Sequence, residues 1–565
     1  MTLLPFAFLA LVLGCDDGKP TDDTHEADAD TDADTDTAPS GPDLWFYASH
    51  NLQVDENVDE VIALLDRAAA AGYHGVVLSD FKLSLAHTDL PSEAWRPNVA
   101  EVLGHAAGLD LEVVPAIFPF GYSEGILYTA PDLAEGLPVV DAPLVVRKGV
   151  LVPAGGTTIL DDGGFESTHG DTFTAWDWQD GGRVVADHAV VHGGSTSAHV
   201  VAGSGNARVV QALAVAPRRQ YHVSYEVRTS GWSGGTFQVI VLDTVSGVTR
   251  NYDLVSVASD QDWTRYDFAF ISGESTSLSL YAGVWTSSSG DLWIDDVAVE
   301  ETAFHNLIRR DGAPLVLTIG DSTHPIIEGI DFDGAVDPAI AEGFDDWHEP
   351  PTPTTPLPDG LGLKADFYAV TPIYSYQVGA CLSEPAVTAW MEENLAAVLD
   401  LFPDATGFFL EYDEMRHMNT CAACKARGLD AGALLADHVA GAIALVQAGR
   451  PGATPYVWSD MFDPFHNAHD DYYLVEGDIA GSWEGLAADT VIMNWNLGNA
   501  DSLAFFADRG HEQIVAGYYD SGDGYASAQS ELAAGAGLVR GLMYTTWTGD
   551  FGELEAYAEG ARAAW

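Results

Sequence analysis

The sequence predicts an α/β fold in which a (β/α)8 TIM-type barrel is interrupted by an all-β jelly-roll sandwich. Hydrophobic strands alternate with amphipathic helices near both ends of the chain, a pattern typical of parallel sheets. Three such strands precede a break in the pattern and five follow it, and eight strands close a barrel. The break itself contains short alternating strands between Gly, Ser and Thr turns, which indicates an antiparallel sandwich.

The three strands before the break are predicted at 44–48, 75–80 and 111–116. The five after it are predicted at 406–412, 456–459, 491–495, 514–518 and 542–547. Segments with helical spacing separate them at 58–71, 99–107, 385–401, 430–447, 500–508 and 529–537. Residues 367–370 are a rival ninth strand, which we assign to a hairpin insertion.

Length and charge restrict the class of protein. A chain of 565 residues is expected to hold more than one folded unit, because a single core rarely grows past about 250 to 300 residues. The 85 Asp and Glu residues outnumber the 23 Lys and Arg residues and give a formal net charge of −62. Such a charge repels nucleic-acid phosphates and anionic membrane surfaces. We therefore expect no nucleic-acid partner.

The N-terminal segment has the features of an export signal. Residues 2–14 are apolar but too short to span a bilayer, and Cys15 follows at once. Residues 12–15, Val-Leu-Gly-Cys, resemble the lipobox of bacterial lipoproteins. The resemblance implies that Cys15 is lipidated and that the protein lies in the bacterial cell envelope, periplasmic or at the cell surface, touching the membrane only through its lipid. A buried core helix is the alternative interpretation of residues 2–14.

The acidic residues that follow have almost nothing to bury and are expected to form a disordered linker. The predicted organisation is therefore a signal peptide and lipobox at 1–15, the linker at 16–42, the first part of the barrel at 43–154, the sandwich at 155–302, a β-rich barrel extension at 303–380, and the second part of the barrel, with the catalytic strand, at 381–565.

The predicted sandwich resembles carbohydrate-binding modules of the family 4 and 9 type. The resemblance rests on Gly164-Phe165-Glu166 at its start, the run 192–197 in its middle and the run 292–297 at its end. It implies a structural calcium ion near Glu166 and Asp296. Three tryptophans are candidate sugar platforms, because aromatic faces stack on pyranose rings. Each of them is also a candidate core residue. They are Trp232, Trp263 and Trp285.

Two adjacent carboxylates, Asp413 and Glu414, follow the predicted strand 406–412 and are the candidate catalytic residues. The carboxyl ends of parallel barrel strands are where active sites gather. Hydrolysis of a glycosidic bond needs a proton donor and a second group that stabilises the oxocarbenium-like transition state. Adjacent residues cannot bracket a sugar as two separate carboxylates do, so the adjacency favours substrate assistance by a 2-acetamido group. An exposed acidic turn is the alternative interpretation.

The run 409–414, Phe-Leu-Glu-Tyr-Asp-Glu, is similar to the Asp-Glu strand of family 20 glycoside hydrolases, the β-N-acetylhexosaminidases. The resemblance implies that Asp413 orients the acetamido group and that Glu414 is the general acid. Residues 455–461 resemble the next strand of that family and contain Trp458 and Asp460. The resemblance also implies an aromatic wall and an acetamido-binding tyrosine, supplied by Trp495, Tyr518 or Tyr519, and Trp547.

Charged residues near the acids complete the predicted site. Asp80, at the end of a predicted strand, is a further candidate for binding sugar hydroxyls and equally a candidate helix cap. Arg416 and His417 lie just past the acids, where a cation is predicted to hold Asp413 ionised while burial tunes Glu414.

Three cysteines remain besides Cys15. Cys421 and Cys424 form a Cys-x-x-Cys motif that, with His417 and distant Cys381, offers ligands for zinc, but the usual two-by-two ligand pattern is absent. Outside the cytoplasm a disulfide is favoured, between Cys381 and either Cys421 or Cys424, with one thiol left over. A thioredoxin-like redox role is the third alternative.

These observations predict an exported glycoside hydrolase that acts on an oligo- or polysaccharide, N-acetylated in the family 20-like interpretation, and needs no cofactor for catalysis. Structural calcium in the sandwich is the one predicted metal. A non-catalytic, surface glycan-binding lipoprotein with a degenerate barrel is the main alternative, and a calcium-dependent adhesion lipoprotein is the third. The sequence has no Gly-x-Gly-x-x-Gly, phosphate-binding loop or His-Glu-x-x-His motif to support nucleotide or zincin chemistry.

Overall fold

The computed structural model describes residues 41–374, 377–497, 499–518 and 538–565. Eight parallel strands in these ranges form a closed barrel, in which the first strand pairs with both the second and the eighth. In chain order, the barrel strands are Asp43–Ser49, Gly75–Ser79, Glu112–Ile117, Gly407–Leu410, Thr454–Trp458, Val491–Asn494, Gln513–Tyr518 and Val539–Thr545.

The predicted α/β class, with its regular (β/α)8 barrel, is wrong. The described part of the chain is mostly β-sheet, with 26 strands and only eight α-helices. The helices are Asp55–Ala70, Trp95–Gly108, Glu124–Thr129, Pro385–Leu401, Ala422–Ala426, Ala431–Gly449, Ala500–Asp508 and Leu554–Ala564. The link between the fifth and sixth barrel strands contains short 3-10 turns and no α-helix. Several predicted barrel strands agree with the structure, but the β-α alternation does not extend to the antiparallel sheets, which contain most of the strands.

Side chains alternate between the two faces of the barrel wall. Trp45 and Tyr47 of the first strand point inward and pack with Phe409, Tyr456 and other residues of the interior cluster. Leu44 and Phe46, between them, belong instead to the core outside the ring. Gly75, the register partner of Trp45, leaves room for the indole, because a Cβ there would lie 2.6 Å from the ring.

The helix Ala431–Gly449 is long and apolar enough to cross a membrane by length and composition alone. Leu435, Val439 and Ile443 of this helix lie in the core outside the barrel ring. The helix is thus a core helix of the barrel.

Two five-stranded antiparallel sheets pack face to face and form the sandwich between the third and fourth barrel strands. One sheet has the strand order Gln261–Ile271, Gln220–Ser233, Ser289–Thr302, Ser197–Val200 and Val184–Asp187. The other, here called the Trp178 sheet, has the order Thr249–Val255, Phe237–Leu242, Ser277–Val284, Ala207–Ala214 and Trp178–Gln179. A two-stranded ladder joins Thr168–His169 to Thr172–Phe173. Alternate residues such as Val209 and Leu213 fill a core of the sandwich's own.

A four-stranded antiparallel sheet has the strand order Val316–Ile319, Gly362–Ala369, Leu137–Arg147 and Val150–Pro153. Its strand Gly362–Ala369 takes up most of the rival ninth strand, which therefore lies outside the barrel. The sheet joins residues from the predicted extension to residues that were predicted to belong to the first part of the barrel. Composition shifts do not reveal such pairing, because it joins segments more than 200 residues apart in the chain.

Candidate functional site

Four carboxyl groups lie at the barrel mouth, meaning the carboxyl ends of the eight strands and the loops that follow them. Glu411, Asp413 and Glu414 come directly after the fourth strand, and Asp460 comes after the fifth. The main chain fixes the start of this loop, because Glu411 N donates to Ile117 O at 3.0 Å and Glu411 O accepts from Phe120 N at 2.8 Å.

Glu411 is a site residue to which the sequence assigned no role. Its carboxylate accepts a hydrogen bond from the hydroxyl of Tyr47 at 2.9 Å. Burial raises the pKa of Glu411 to about 7, against a smaller opposing effect of the Tyr47 hydrogen bond. The carboxyl group is therefore partly protonated near neutral pH. Its signal in the sequence is the same as that of the predicted pair: an acid placed directly after a buried strand.

Asp413 has the more strongly altered carboxyl group. Burial, followed by the nearby carboxylates of Asp460, Glu411 and Glu414, raises its pKa well above the ordinary range. Asp413 consequently keeps its proton to higher pH than an ordinary aspartate does. Gly121 packs against its main chain, where a Cβ would come within 1.6 Å of Asp413 O. A glycine is required at position 121 for this close approach.

Glu414 lies in a different environment from its neighbour. Its backbone has a φ of 49°, in the left-handed region, and its N–H donates to Asp460 Oδ2 at 2.8 Å. Its carboxylate accepts hydrogen bonds from the Tyr122 hydroxyl and from Gln377 Nε2, the latter at 3.0 Å. Both donors are far away in sequence and belong to no motif, so sequence reasoning missed them.

The predicted pairing of Arg416 with Asp413 is wrong. The Arg416 guanidinium pairs with Glu414, with Nη2 at 2.9 Å from Oε1, and packs against the rings of Tyr374 and Tyr473 at 4.8 Å from each centroid. Both partners of the pair are on the same loop, two residues apart, so proximity in sequence could not decide which of the two acids Arg416 would reach.

His417 points away from the acids. Its Nε2 donates to Thr371 O at 2.7 Å, and burial lowers the pKa of His417 to about 4. The ring is therefore neutral at physiological pH and supplies no cation to the site. It is not a member of the thiol cluster with which it was considered as a zinc ligand.

Asp460 supports the loop that carries the acids. It is fully buried, and it accepts hydrogen bonds from Glu414 N, from Asn467 Nδ2 at 2.8 Å and from Trp495 Nε1 at 3.2 Å. Trp495 is thereby placed beside the same carboxylate. These contacts assign Asp460 a positioning role in addition to its charge.

Aromatic side chains line the mouth next to Glu411. The ring centroid of Tyr47 lies 5.7 Å from that of Trp458 and 5.5 Å from that of Trp547, and the two tryptophans are 6.2 Å apart. Trp458 is 3% exposed, whereas Trp547 is 44% exposed. Trp547 is therefore the more solvent-exposed of the two tryptophans.

The remaining predicted binding residues are placed differently. Asp80 accepts hydrogen bonds from Leu52 N, Lys82 N and Trp95 Nε1, and its carboxylate lies 3.2 Å from Lys82 Nζ. These contacts stabilise the loop after the second strand. Tyr518 is the last residue of the seventh barrel strand. Tyr519 and Cys15 lie outside the described residues.

The carboxylates predicted to hold calcium, Glu166 and Asp296, lie on either side of the turn Gly193–Gly194. Glu166 accepts hydrogen bonds from Ser195 N, Ser195 Oγ and Thr196 N, and Asp296 Oδ2 lies 2.6 Å from His192 Nδ1. Within the described ranges neither carboxylate belongs to a group of three or more convergent metal-ligating side chains. Calcium binding by Glu166 and Asp296 stays a prediction.

One face of the Trp178 sheet carries a row of apolar and aromatic side chains across its strands. Trp178 is paired with Val210, Val210 with Tyr281, and Tyr281 with Ile240. Residues directly opposite one another project from the same face of a sheet. Trp178 is 57% exposed and the other three are partly exposed, so the row faces away from the sandwich core.

The tryptophans predicted as sugar platforms lie elsewhere in the sandwich. Trp232 is 6% exposed and belongs to the core. Trp263 packs near the His192 ring, at 5.6 Å between centroids, and Trp285 lies under the Arg208 guanidinium. The exposed Trp178 was missed, because its position at the end of the row depends on strand pairing.

Two cavities lie apart from the four carboxyl groups. One, of about 570 Å³, lies between the helices Pro385–Leu401 and Ala431–Gly449, and the other, of about 560 Å³, lies between sandwich loops and residues 471–477. Neither is lined by Asp413, Glu414 or Asp460. The barrel mouth is therefore the candidate active site because of its four carboxyl groups and not because of the size of a cavity.

Part of the chain is similar in structure to carbohydrate-binding modules. A family 16 module matches with 19% identity and a TM-score of 0.20, over 25% of this chain and 98% of that chain. A family 4 module matches with 14% identity and a TM-score of 0.20, over 25% and 99%. The C-terminal family 22 module of Clostridium thermocellum Xyn10B matches with 17% identity and a TM-score of 0.19, over 25% and 97%. No protein-family model matches the chain, and no curated protein matches it in sequence.

Proposed function

We propose that this chain is a glycoside hydrolase that binds its glycan through the sandwich and cleaves it at the barrel mouth by acid catalysis. The observation that carries the proposal is the position of Asp413: a carboxyl group with a raised pKa, among three other acids, beside an aromatic wall with one exposed tryptophan. Aromatic faces bind sugar rings, and a protonated carboxylic acid is what glycosidic cleavage requires.

Asp413 is the proton donor in this proposal. Glycosidases raise the pKa of one carboxyl group by burial and by neighbouring negative charge so that it remains protonated at the working pH. Burial and the carboxylates of Asp460 and Glu411 act on Asp413 in that sense. This exchanges the roles implied by the resemblance to family 20 enzymes, in which the aspartate orients the acetamido group and the glutamate is the acid.

Glu414 is the second carboxyl group of the proposal. Arg416, Tyr122 and Gln377 all direct donors at it, an arrangement that holds its carboxylate in position. A fixed anion next to the proton donor stabilises the positive charge that develops on the sugar ring. For an N-acetylated glycan the same carboxylate orients the 2-acetamido group, so that attack by the substrate's own oxygen gives a retaining, substrate-assisted reaction.

The first experiment measures hydrolysis of aryl N-acetylglucosaminides, aryl N-acetylgalactosaminides and the corresponding unsubstituted glycosides. Asp413→Asn is expected to lower kcat about 10²- to 10⁴-fold, because it removes the transferable proton without changing the size of the side chain. Asp404→Asn, an exposed residue before the same strand, is the matched control and keeps full activity. Undiminished hydrolysis by the Asp413 variant would refute the assignment.

The same contacts of Glu414 also support a second function, because its carboxylate is already occupied by protein donors, as expected of a degenerate barrel in a glycan-binding protein. In that case the Trp178 row binds a glycan and the barrel is a scaffold. Retention on a glycan array without turnover of any retained glycan would select this function over hydrolysis.

We further propose that the protein is exported and held in the bacterial cell envelope by lipid on Cys15. The short apolar segment before Cys15 and the acidic linker after it support this location. Cys15→Ser is expected to release the protein from the membrane fraction. Membrane association that survives this change would contradict the lipid anchor.

A further inference from the structure

Three cysteines and one glutamate form a buried cluster outside the candidate active site. One ligand atom each from Glu135, Cys381, Cys421 and Cys424 lies within 4.8 Å of all the others, the one group of this kind in the described ranges. Each of the four residues is at most 1% exposed. The three thiols are free.

The sulfur atoms and one carboxylate oxygen surround a common point. Cys381 Sγ lies 3.3 Å from Cys421 Sγ and 3.5 Å from Cys424 Sγ, and Glu135 Oε2 lies 3.2 and 3.4 Å from the latter two. A tetrahedral zinc site with Zn–S bonds of about 2.3 Å has sulfur atoms about 3.8 Å apart. The cluster would therefore need to expand by only a few tenths of an ångström to hold the ion.

The orientation of Glu135 is fixed by its second oxygen. Oε1 accepts hydrogen bonds from Thr420 N at 2.6 Å, Cys421 N at 2.8 Å and Thr420 Oγ1 at 3.0 Å. These donors leave Oε2 directed at the sulfur atoms. Hydrogen bonds that orient a ligand in this way are characteristic of metal sites.

We propose that Glu135, Cys381, Cys421 and Cys424 bind a zinc ion in a closed, four-coordinate structural site. The ion uses all three thiols and the carboxylate, whereas a disulfide would leave one thiol and the oriented carboxylate oxygen without a role. Arg310, whose Nη2 lies 3.5 Å from Cys421 Sγ, offsets part of the negative charge that three thiolates and a carboxylate would carry.

The site joins three segments that are distant in sequence. Glu135 precedes the four-stranded sheet and the sandwich in the chain, and Cys381 follows them. Their segments are already paired, because Glu135 N donates to Gly379 O at 2.7 Å. Cys421 and Cys424 lie at the start of the helix Ala422–Ala426, which follows the loop that carries Glu414 and Arg416. Zinc would thus tie the base of the insertion to the acid-bearing loop, a role that does not depend on the proposed hydrolysis.

The first test uses the full chain with Cys15→Ser, so that three thiols remain. The protein is purified with a reducing agent, given zinc and dialysed, and its metal content is measured by mass spectrometry. We expect about one zinc ion per chain, with three thiols that resist alkylation until a chelator and denaturant are added. Less than about a tenth of an equivalent of zinc, or a disulfide from Cys381 in the native protein, would overturn the proposal.

A pair of variants tests the carboxylate ligand. Glu135→Gln is expected to lower zinc affinity at least about 10-fold in competition with a chromogenic chelator. Glu384→Gln is the control, because Glu384 lies 3.4 Å from the same Arg310 but is not in the ligand group, and it keeps the parental affinity. Far-UV circular dichroism confirms that both variants are folded. Equal zinc affinity of Glu135→Gln and the parent would remove Glu135 from the site and sink the four-ligand proposal.

Discussion

Arg416 pairs with Glu414 and not with Asp413, at 2.9 Å between Nη2 and Oε1, although both acids precede it on the same loop. The backbone of Glu414 is in the left-handed region, and its carboxylate binds donors from Tyr122, Gln377 and Arg416. The carboxyl group of Asp413 instead has other carboxyl groups as its charged neighbours. Two neighbouring acids thereby acquire opposite surroundings.

The ion pair is expected to be strongly coupled. Arg416→Met should lower the free energy of unfolding by about 2 to 4 kcal/mol, because it leaves a partly buried carboxylate without its cation. The double variant Arg416→Met/Glu414→Gln should lose less free energy of unfolding than the two single variants lose together. Urea denaturation should give a coupling energy of about 1 to 3 kcal/mol between the two positions. Arg427→Met, in the more exposed pair with Asp437, is the control and should cost less than about 1 kcal/mol. Additive effects at positions 414 and 416 would contradict the coupling.

Stability should fall as the pH rises from about 4.5 to about 7, in part because of Glu411. Its pKa is raised to about 7 in the folded protein from 4.5, so the folded state binds the proton more tightly. The stability that this proton contributes is present below pH 4.5 and is lost as the pH rises through 7. Glu411→Gln should reduce this loss in the free energy of unfolding by about 1 to 3 kcal/mol. The lower end of this range is expected, because Glu411 keeps some solvent contact. Chemical denaturation at several pH values measures this, with exposed Glu393→Gln as control. An unchanged slope in the Glu411 variant would count against its raised pKa.

The same substitution should shift the pH profile of hydrolysis. An acid that donates a proton must be protonated, so activity declines above its pKa. Removing the charge of Glu411 removes one of the causes that raise the pKa of Asp413, and the basic limb of kcat/KM should move to lower pH. A shift to higher pH, or none, would show that Asp413 is not the group that titrates there.

Gly121 should be intolerant of any side chain. A Cβ at this position would meet the main-chain oxygen of Asp413 at 1.6 Å, so Gly121→Ala should displace the acid-bearing loop and lower the free energy of unfolding by about 2 kcal/mol or more. Gly104→Ala is the matched control, because it lies in a helix with nothing within 4 Å of the added atom, and it should be neutral or stabilise by up to about 1 kcal/mol. Equal melting temperatures for the two variants would contradict the close approach at position 121.

Trp178 should dominate glycan binding by the sandwich. Trp178→Ala removes the large exposed ring at the end of the row, and we expect at least about a 10-fold loss of affinity in calorimetry with a glycan that the parent protein retains on the array. Trp565→Ala changes a tryptophan of similar exposure outside the sandwich and should leave binding intact. Loss of binding in the Trp565 variant alone would place the glycan elsewhere.

The sequence by itself located several parts of the molecule closely. It predicted strands at 44–48, 75–80 and 491–495, and the structure has Asp43–Ser49, Gly75–Ser79 and Val491–Asn494. It also placed Asp413 and Glu414 at the end of a strand, because the change from buried to polar residues after Leu410 is visible in the sequence. Such features are local, since hydrophobic periodicity and strand ends depend on neighbouring residues.

Contacts between residues distant in sequence became known only from the three-dimensional fold. In the fold Tyr122 and Gln377 contact Glu414, and Glu135 contacts Cys421. The partners in these contacts are separated by more than 30 and up to 292 positions in the chain. The fold also assigned most strands to antiparallel sheets outside the barrel, against the predicted α/β class. The surroundings of a carboxyl group, and with them its pKa, are set by such long-range contacts, on which the local periodicity of a sequence carries no information.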